Sequence, residues 1–132
     1  GSMPEHSVAR MSGLLNRRGM PVRGSGILVL GAAYKPDVND VRESPSLDVI
    51  KLLLDLGAQV SYHDPHVPEL RIQGKKMRST PLTPANLRKA DLVAVLTAHS
   101  SVDYGSVVRR ARLVFDARNA SKGLRGSGLF RL

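Results

Sequence analysis

The chain has 132 residues, a net charge of +9, 42% apolar residues and only 4% aromatic residues, with no tryptophan and no cysteine. This suffices for one domain whose core must be built from Leu, Val, Ile and Ala. The lack of cysteine excludes disulfides, thiolate-ligated zinc and a cysteine nucleophile in this chain, and no apolar run reaches the length of a membrane span.

Residues 27–116 hold 12 basic and 10 acidic residues, whereas residues 1–26 hold four basic and one acidic, and residues 117–132 four basic and none acidic. The body is nearly balanced and the ends are basic. A nucleic-acid binder more often carries a basic face on its folded body. The ends are therefore read either as solvated termini or as cations that meet a small polyanion such as a diphosphate.

Taken in chain order, Gly1-Ser2 reads as a tag remnant. Residues 4–18 place Val8, Met11, Leu14 and Leu15 at helical spacing before Gly19, and residues 20–26 form a loop. The run ILVL at residues 27–30, closed by Gly31, suits a parallel strand buried on both faces. Ser44-Pro45 predicts a helix start, with Ser44 as the cap and Pro45 at the first helical position. Leu47, Val49, Ile50, Leu53 and Leu54 form its apolar stripe and Gly57 ends it. A second strand covers residues 59–63, and residues 64–82, with three prolines, are expected to be irregular. Thr83-Pro84 opens a short helix to about Lys89, LVAVL at residues 92–96 is a third strand, residues 103–110 a helix, and residues 113–115 a short fourth strand. The tail after Asn119 is expected to be partly irregular.

Strands alternating with helices predict a three-layer, Rossmann-like α/β domain with a mainly parallel sheet flanked by helices. Ligands of such sheets sit beyond the carboxyl ends of the strands. That rule singles out residues 31–42, 63–66 and 116–119, and less strongly 97–100. In the first segment Lys35 and Arg42 lie near a helix N-terminus, where an anion is favoured, yet Asp37, Asp40 and Glu43 could equally pair with them. Arg118 could reach a phosphate or a base from the same edge, or could pair with Asp116. His63-Asp64-Pro65-His66 has no helical metal-ligand spacing and reads as a turn with part-exposed histidines. His99 reads as a loop histidine at the end of the third strand, Ser100 lacks a nucleophile elbow, and Tyr104 packs the next helix. Gly24-Ser25-Gly26 precedes its strand, so it is not a dinucleotide fingerprint, and only Gly31 follows.

The stretch ILVLGAAYKPDVNDVRESPSLDVIKLLLDLGAQVSYHDPHVPEL resembles the C-terminal domain of UDP-glucose/GDP-mannose dehydrogenases. Its marker is G-x-x-Y-K-x-D-x-x-D-x-R-E-S-P, followed by G-A-x-V and Y-x-D-P. LVAVLTAHSSVDY and LVFDARN match later family elements, so the resemblance runs from about Met3 to Asn119. It implies an enzyme that uses NAD to oxidise the C6 alcohol of a nucleotide sugar twice, to a carboxylate. It also implies a nicotinamide domain, a central dimerising helix and this nucleotide-sugar domain. By that resemblance Tyr34 and Lys35 contact the nucleotide sugar, Arg118 its uridine-diphosphate part, and Arg42 reaches across a cleft to NAD, while Asp40, Glu43 and Ser44 order the loop. Residues 4–24 would be the end of the connecting helix and linker, and residues 25–132 the UDP-sugar-binding domain.

The family's catalytic cysteine and its GxGxxG are missing from this chain. The resemblance therefore implies the last third of a larger enzyme, inactive alone, with NAD bound mainly elsewhere. The full enzyme is expected to be a cytoplasmic, bacterial homodimer of polysaccharide biosynthesis, closest to UDP-N-acetylglucosamine 6-dehydrogenases, with UDP-glucose and UDP-N-acetylmannosamine as alternatives. Its partners would be the UDP-sugar and the rest of the chain, with no nucleic acid, membrane or metal. A stand-alone nucleotide-binding module is the competing expectation.

Overall fold

The computed structural model describes residues 3–132, so the tag expectation at Gly1-Ser2 lies outside the described residues. The chain begins with helix α1 (Met3–Arg17), then strand β1 (Gly26–Leu30) and helix α2 (Pro45–Asp55). Strand β2 (Gln59–His63) leads into β3 (Glu69–Ile72) and β4 (Lys75–Arg78). Helix α3 (Pro84–Lys89), β5 (Leu92–Val95), α4 (Tyr104–Arg110), β6 (Val114–Asp116) and β7 (Leu129–Arg131) complete it.

The helix starts follow local chemistry. Ser44 caps α2, with its side-chain oxygen accepting from the Ser46 N–H, and Thr83 caps α3 by accepting from the Asn86 N–H. Each is followed by proline at the first turn, where no N–H is needed. Asp103 caps α4 in the same manner. Gly57 follows α2 at a φ of 87°, which a side chain disfavours.

β2, β1, β5, β6 and β7 lie in that order in one sheet, and every neighbouring pair is parallel. Ile27 and Val29 of β1 enter a core with Met11 and Leu15 of α1 and Ile50 and Leu53 of α2. Leu28 and Leu30 point the other way, into a core with Leu87 of α3 and Val107 of α4. The continuous apolar run thus reflects a strand covered on both sides. Each fully buried Leu or Ile of this kind contributes about 1.5–3 kcal/mol relative to exposure.

The chain moves from β1 outward to β2, then crosses back over β1 to β5. Right-handed crossovers in opposite directions place α2 on one face and α3 and α4 on the other. The strand order therefore reverses at β1 and β5, where the connections diverge and leave a crevice at the carboxyl ends.

One expectation changes. Residues 64–82 contain a hairpin, with Glu69 opposite Arg78 and Ile72 opposite Lys75. Gln73 and Gly74 turn it at φ of 50° and 77°, the left-handed pair that a two-residue hairpin needs. The tail is irregular over residues 120–128, as expected in part, and then forms β7, which pairs with β6 and extends the sheet. Among the described residues no helix is long and apolar enough to cross a membrane.

Candidate functional site

The crevice starts with Gly31, at a φ of 94°. A Cβ there would stand 2.4 Å from the Thr97 Cβ and 2.5 Å from the Thr97 carbonyl oxygen. The exits of β1 and β5 lie too close for any side chain, and the Leu30 carbonyl accepts from both Leu96 N–H (2.9 Å) and Thr97 N–H (3.3 Å). This single glycine allows close approach of the two strands.

Beyond it the loop is fastened from below. Asp64, wholly buried at the end of β2, accepts through Oδ2 from the N–H groups of Ala32 (2.8 Å) and Ala33 (3.0 Å). The same oxygen lies 2.8 Å from Nε2 of buried His99, and Oδ1 accepts from the His66 N–H at 2.8 Å. Burial pushes the Asp64 carboxyl up, but these bonds outweigh it and hold the group below the usual carboxylate range. The Ala32 carbonyl accepts from the Ser44 hydroxyl and the Ala33 carbonyl from the Thr97 hydroxyl, each at 2.8 Å. Tyr34 N–H donates to the Asp40 carbonyl at 2.6 Å and closes the loop on itself.

Tyr34, Lys35, Pro45, Thr97 and Arg118 then line a cleft of ≈ 400 Å³. Among the described residues Lys35 has no carboxylate partner, and its Nζ lies 5.8 Å from the centre of the Tyr34 ring. Arg118 is steered into place by its Nε, which donates to the Leu96 carbonyl at 2.8 Å. The alternative, an Arg118–Asp116 ion pair, does not form among the described residues. The Asp116 carboxylate instead accepts from the N–H groups of Arg118, Ala120 and Ser121 and from the Ser121 hydroxyl. Burial raises the Asp116 carboxyl, and the Ser121 bonds with the other N–H groups more than reverse this. Two cations free of carboxylate partners thus share a cleft at the sheet's switch point.

Arg42 behaves differently from Lys35. It grips Asp40 in a fork, Nε to Oδ1 and Nη2 to Oδ2, both at 3.1 Å, while its side chain is 88% exposed. The Arg42 hydrogen bonds hold the Asp40 carboxyl down and raise the guanidinium. Arg42, Asp40 and Glu43 border a separate cleft of ≈ 370 Å³, with Tyr34 lining both. Internal pairing therefore holds for Arg42 and fails for Lys35.

The histidine turn is committed to structure. His63 Nδ1 lies 2.7 Å from the Thr80 carbonyl oxygen. Asp37, His66 and His99 offer side-chain atoms within 4.8 Å of one another, but His99 Nδ1 already accepts the Asp37 N–H at 2.7 Å. A cation there would have to break that bond. Asp37 itself accepts from the Ser100 N–H at 2.8 Å, which lowers its carboxyl. The Tyr104 hydroxyl is buried near the His99 backbone without a well-formed hydrogen bond, and burial pushes it up to about 12. Another opening of ≈ 420 Å³, bordered by Gly26, Gln59, Asn86, Lys89 and Asp91, lies towards the amino ends of β1 and β2, away from the candidate residues. Sequence reasoning missed Asp64, His99 and Thr97 as the fastenings of the loop. The only signal was their position at the ends of β2 and β5.

Residues 28–123 match the sequence model described as "UDP-glucose/GDP-mannose dehydrogenase family, UDP binding domain". The chain is 35% identical over 105 residues to UDP-glucose 6-dehydrogenase TuaD of Bacillus subtilis (strain 168), covering 74% of this chain and 23% of that protein. It is 40% identical over 81 residues to UDP-N-acetyl-D-mannosamine dehydrogenase of Campylobacter jejuni, covering 59% of this chain and 20% of the relative. A solved UDP-glucose dehydrogenase from Pyrobaculum islandicum superposes with a TM-score of 0.74 at 31% identity, over 96% of this chain and 28% of that one. The chain thus spans less than a third of the length of these relatives. It belongs to the UDP-glucose/GDP-mannose dehydrogenase family, in which it corresponds to the UDP binding domain.

Proposed function

We propose that this chain is the nucleotide-sugar-binding domain of an NAD-dependent UDP-sugar 6-dehydrogenase. The observation that carries this reading is the cleft between β1 and β5, where Lys35 and Arg118 converge without carboxylate partners. Lys35 supplies a compact cation for a diphosphate and Arg118 a planar fork. Tyr34, Pro45 and Thr97 complete the lining.

In the complete enzyme the sugar's C6 alcohol is taken to a carboxylate, with two NAD reduced and one water supplying the second carboxylate oxygen. This chain holds no cysteine and no glycine-rich dinucleotide loop, so its part is binding and orientation. Arg42 fits a contact to NAD rather than a cradle for it. Asp40 occupies Nε and Nη2, and the rest of the guanidinium faces outward. Arg42 and Lys35 border different clefts, which supports a loop that meets the sugar nucleotide on one side and the dinucleotide on the other. The finer reading of the substrate, UDP-N-acetylglucosamine, rests on the sequence resemblance alone. The relatives carry the names UDP-glucose and UDP-N-acetyl-D-mannosamine dehydrogenase. The complete enzyme is read as a cytoplasmic homodimer of bacterial polysaccharide biosynthesis.

Calorimetric titration with UDP, against UMP and a DNA duplex, tests this. Saturable UDP binding that needs the second phosphate supports it. Tight, strongly salt-dependent duplex binding without UDP binding would overturn it.

A further inference from the structure

His99 is the side chain that reaches both anchored ends of the loop carrying Tyr34 and Lys35. Its Nδ1 accepts the Asp37 N–H at 2.7 Å, so that nitrogen bears a lone pair and the ring's proton belongs on Nε2, 2.8 Å from Asp64 Oδ2. The same Asp64 oxygen accepts the N–H groups of Ala32 and Ala33. The segment is thus pinned just before Tyr34 and just after Lys35, and one imidazole links the two pins. Asp37 sits at a φ of 61°, in the left-handed region.

We propose that His99 is a positioning residue that sets this loop in its neutral, Nε2-protonated form, so that the cleft holds a nucleoside diphosphate more tightly while His99 is uncharged. The ligand class rests on the reading above. A second proton on Nδ1 would point at the Asp37 N–H, turning a 2.7 Å hydrogen bond into a meeting of two donors. Asp37 and the adjoining loop must then move. The groups facing the ring come from every neighbouring segment. Asp64 lies at 2.8 Å and the Asp37 carboxylate at 3.8 Å, and both favour the charged ring. The His66 ring sits 4.7 Å away and opposes a second charge when protonated itself. Tyr104, from α4, places a neutral hydroxyl near the His99 backbone.

The test uses the ¹⁵N-labelled 132-residue chain. Nitrogen shifts of His99 at pH 8 should show a protonated Nε2 and a bare Nδ1. Exchange protection of the Asp37 amide should disappear as His99 titrates. Calorimetry then uses UDP-glucose, whose diphosphate is esterified at both ends and does not titrate between about pH 5 and 8. Affinity should fall about tenfold towards acid, the worth of one lost buried hydrogen bond. His99→Asn keeps an acceptor near Nδ1 and cannot be charged, so its affinity should be flat across this range. His99→Gln keeps a donor for Asp64 but not the acceptor, and should bind about tenfold more weakly at every pH. His66→Gln should retain the slope. A proton on Nδ1 at pH 8, or an Asp37 amide indifferent to His99, refutes the latch. So does a His99→Asn variant with the original slope. A chain that binds no UDP-glucose at any pH refutes the ligand reading, and the tautomer and amide exchange still decide the latch.

Discussion

Replacing Asp64 with asparagine should remove about 4 kcal/mol of folding stability, a large share of the roughly 5–15 kcal/mol typical of a domain. The carboxylate accepts four hydrogens, from the N–H groups of Ala32, Ala33 and His66 and from His99 Nε2. Asparagine offers one oxygen. Placed at Oδ2 it keeps three bonds, each now neutral rather than charge-assisted, at a loss of about 1 kcal/mol apiece. Its amide then faces the His66 N–H, and two opposed donors cost about 1–2 kcal/mol more. Urea unfolding followed by far-ultraviolet circular dichroism at pH 7 measures the change, with Asp48→Asn on exposed α2 surface as the reference. The deficit should shrink in acid. A carboxyl depressed by folding stabilises above its unfolded value, near 4, and loses that contribution as pH falls through its folded value. A pH 7 loss of under about 1 kcal/mol, no larger than the reference, would refute the claim that Asp64 is the loop's anchor.

Gly31→Ala meets Thr97 backbone and Cβ at 2.4–2.6 Å with an unfavourable φ, so it should cost at least about 3 kcal/mol and abolish UDP binding. Thermal unfolding with UDP titration reads both effects, and a stable, binding variant would mean that β1 and β5 are not so tightly apposed. Lys35→Ala should weaken UDP-sugar binding about tenfold at nearly unchanged Tm, because no carboxylate partner is lost. A fall in Tm without a change in affinity would return Lys35 to a structural role. Arg42→Ala in the complete enzyme should raise KM for NAD more than KM for the sugar, and the reverse pattern would place Arg42 on the wrong side of the cleft. The urea midpoint of the unaltered chain should be flat above about pH 5 and fall below about pH 4, as the depressed carboxyls of Asp64 and Asp116 take up protons.

The main elements were legible wherever a local rule acted. Ser44-Pro45 and Thr83-Pro84 are complete start signals within two residues, and ILVL and LVAV carry the double-sided burial of central strands. The hairpin was obscured because glutamine stands where Asn or Asp usually marks a two-residue turn, and because four-residue strands give little periodicity. β7 has only three residues, too few for periodicity, and its pairing depends on β6 already being in place. Lys35, Arg42 and Arg118 could be nominated from their place after a strand, but not sorted. Whether a cation is free or paired depends on where carboxylates fold, and Asp116 turned to its own backbone while Asp40 took Arg42. Asp64 looked like a turn residue because three of its four partners lie 31 to 35 positions away.

The placement of the cleft between β1 and β5 has a kinetic consequence. Those strands pair Ile27 with Leu92, a separation of 65 residues, whereas β1 and β2 pair across a single helix. Closing so long a loop is among the slower steps available to a chain of this size. Until it closes, Gly31 has no Thr97 to lie against and the Ala33 carbonyl lacks the Thr97 hydroxyl. Ligand affinity should therefore emerge only with the last, rate-limiting docking event of folding. A refolding experiment in which UDP binding appeared ahead of full β1–β5 amide protection would show otherwise.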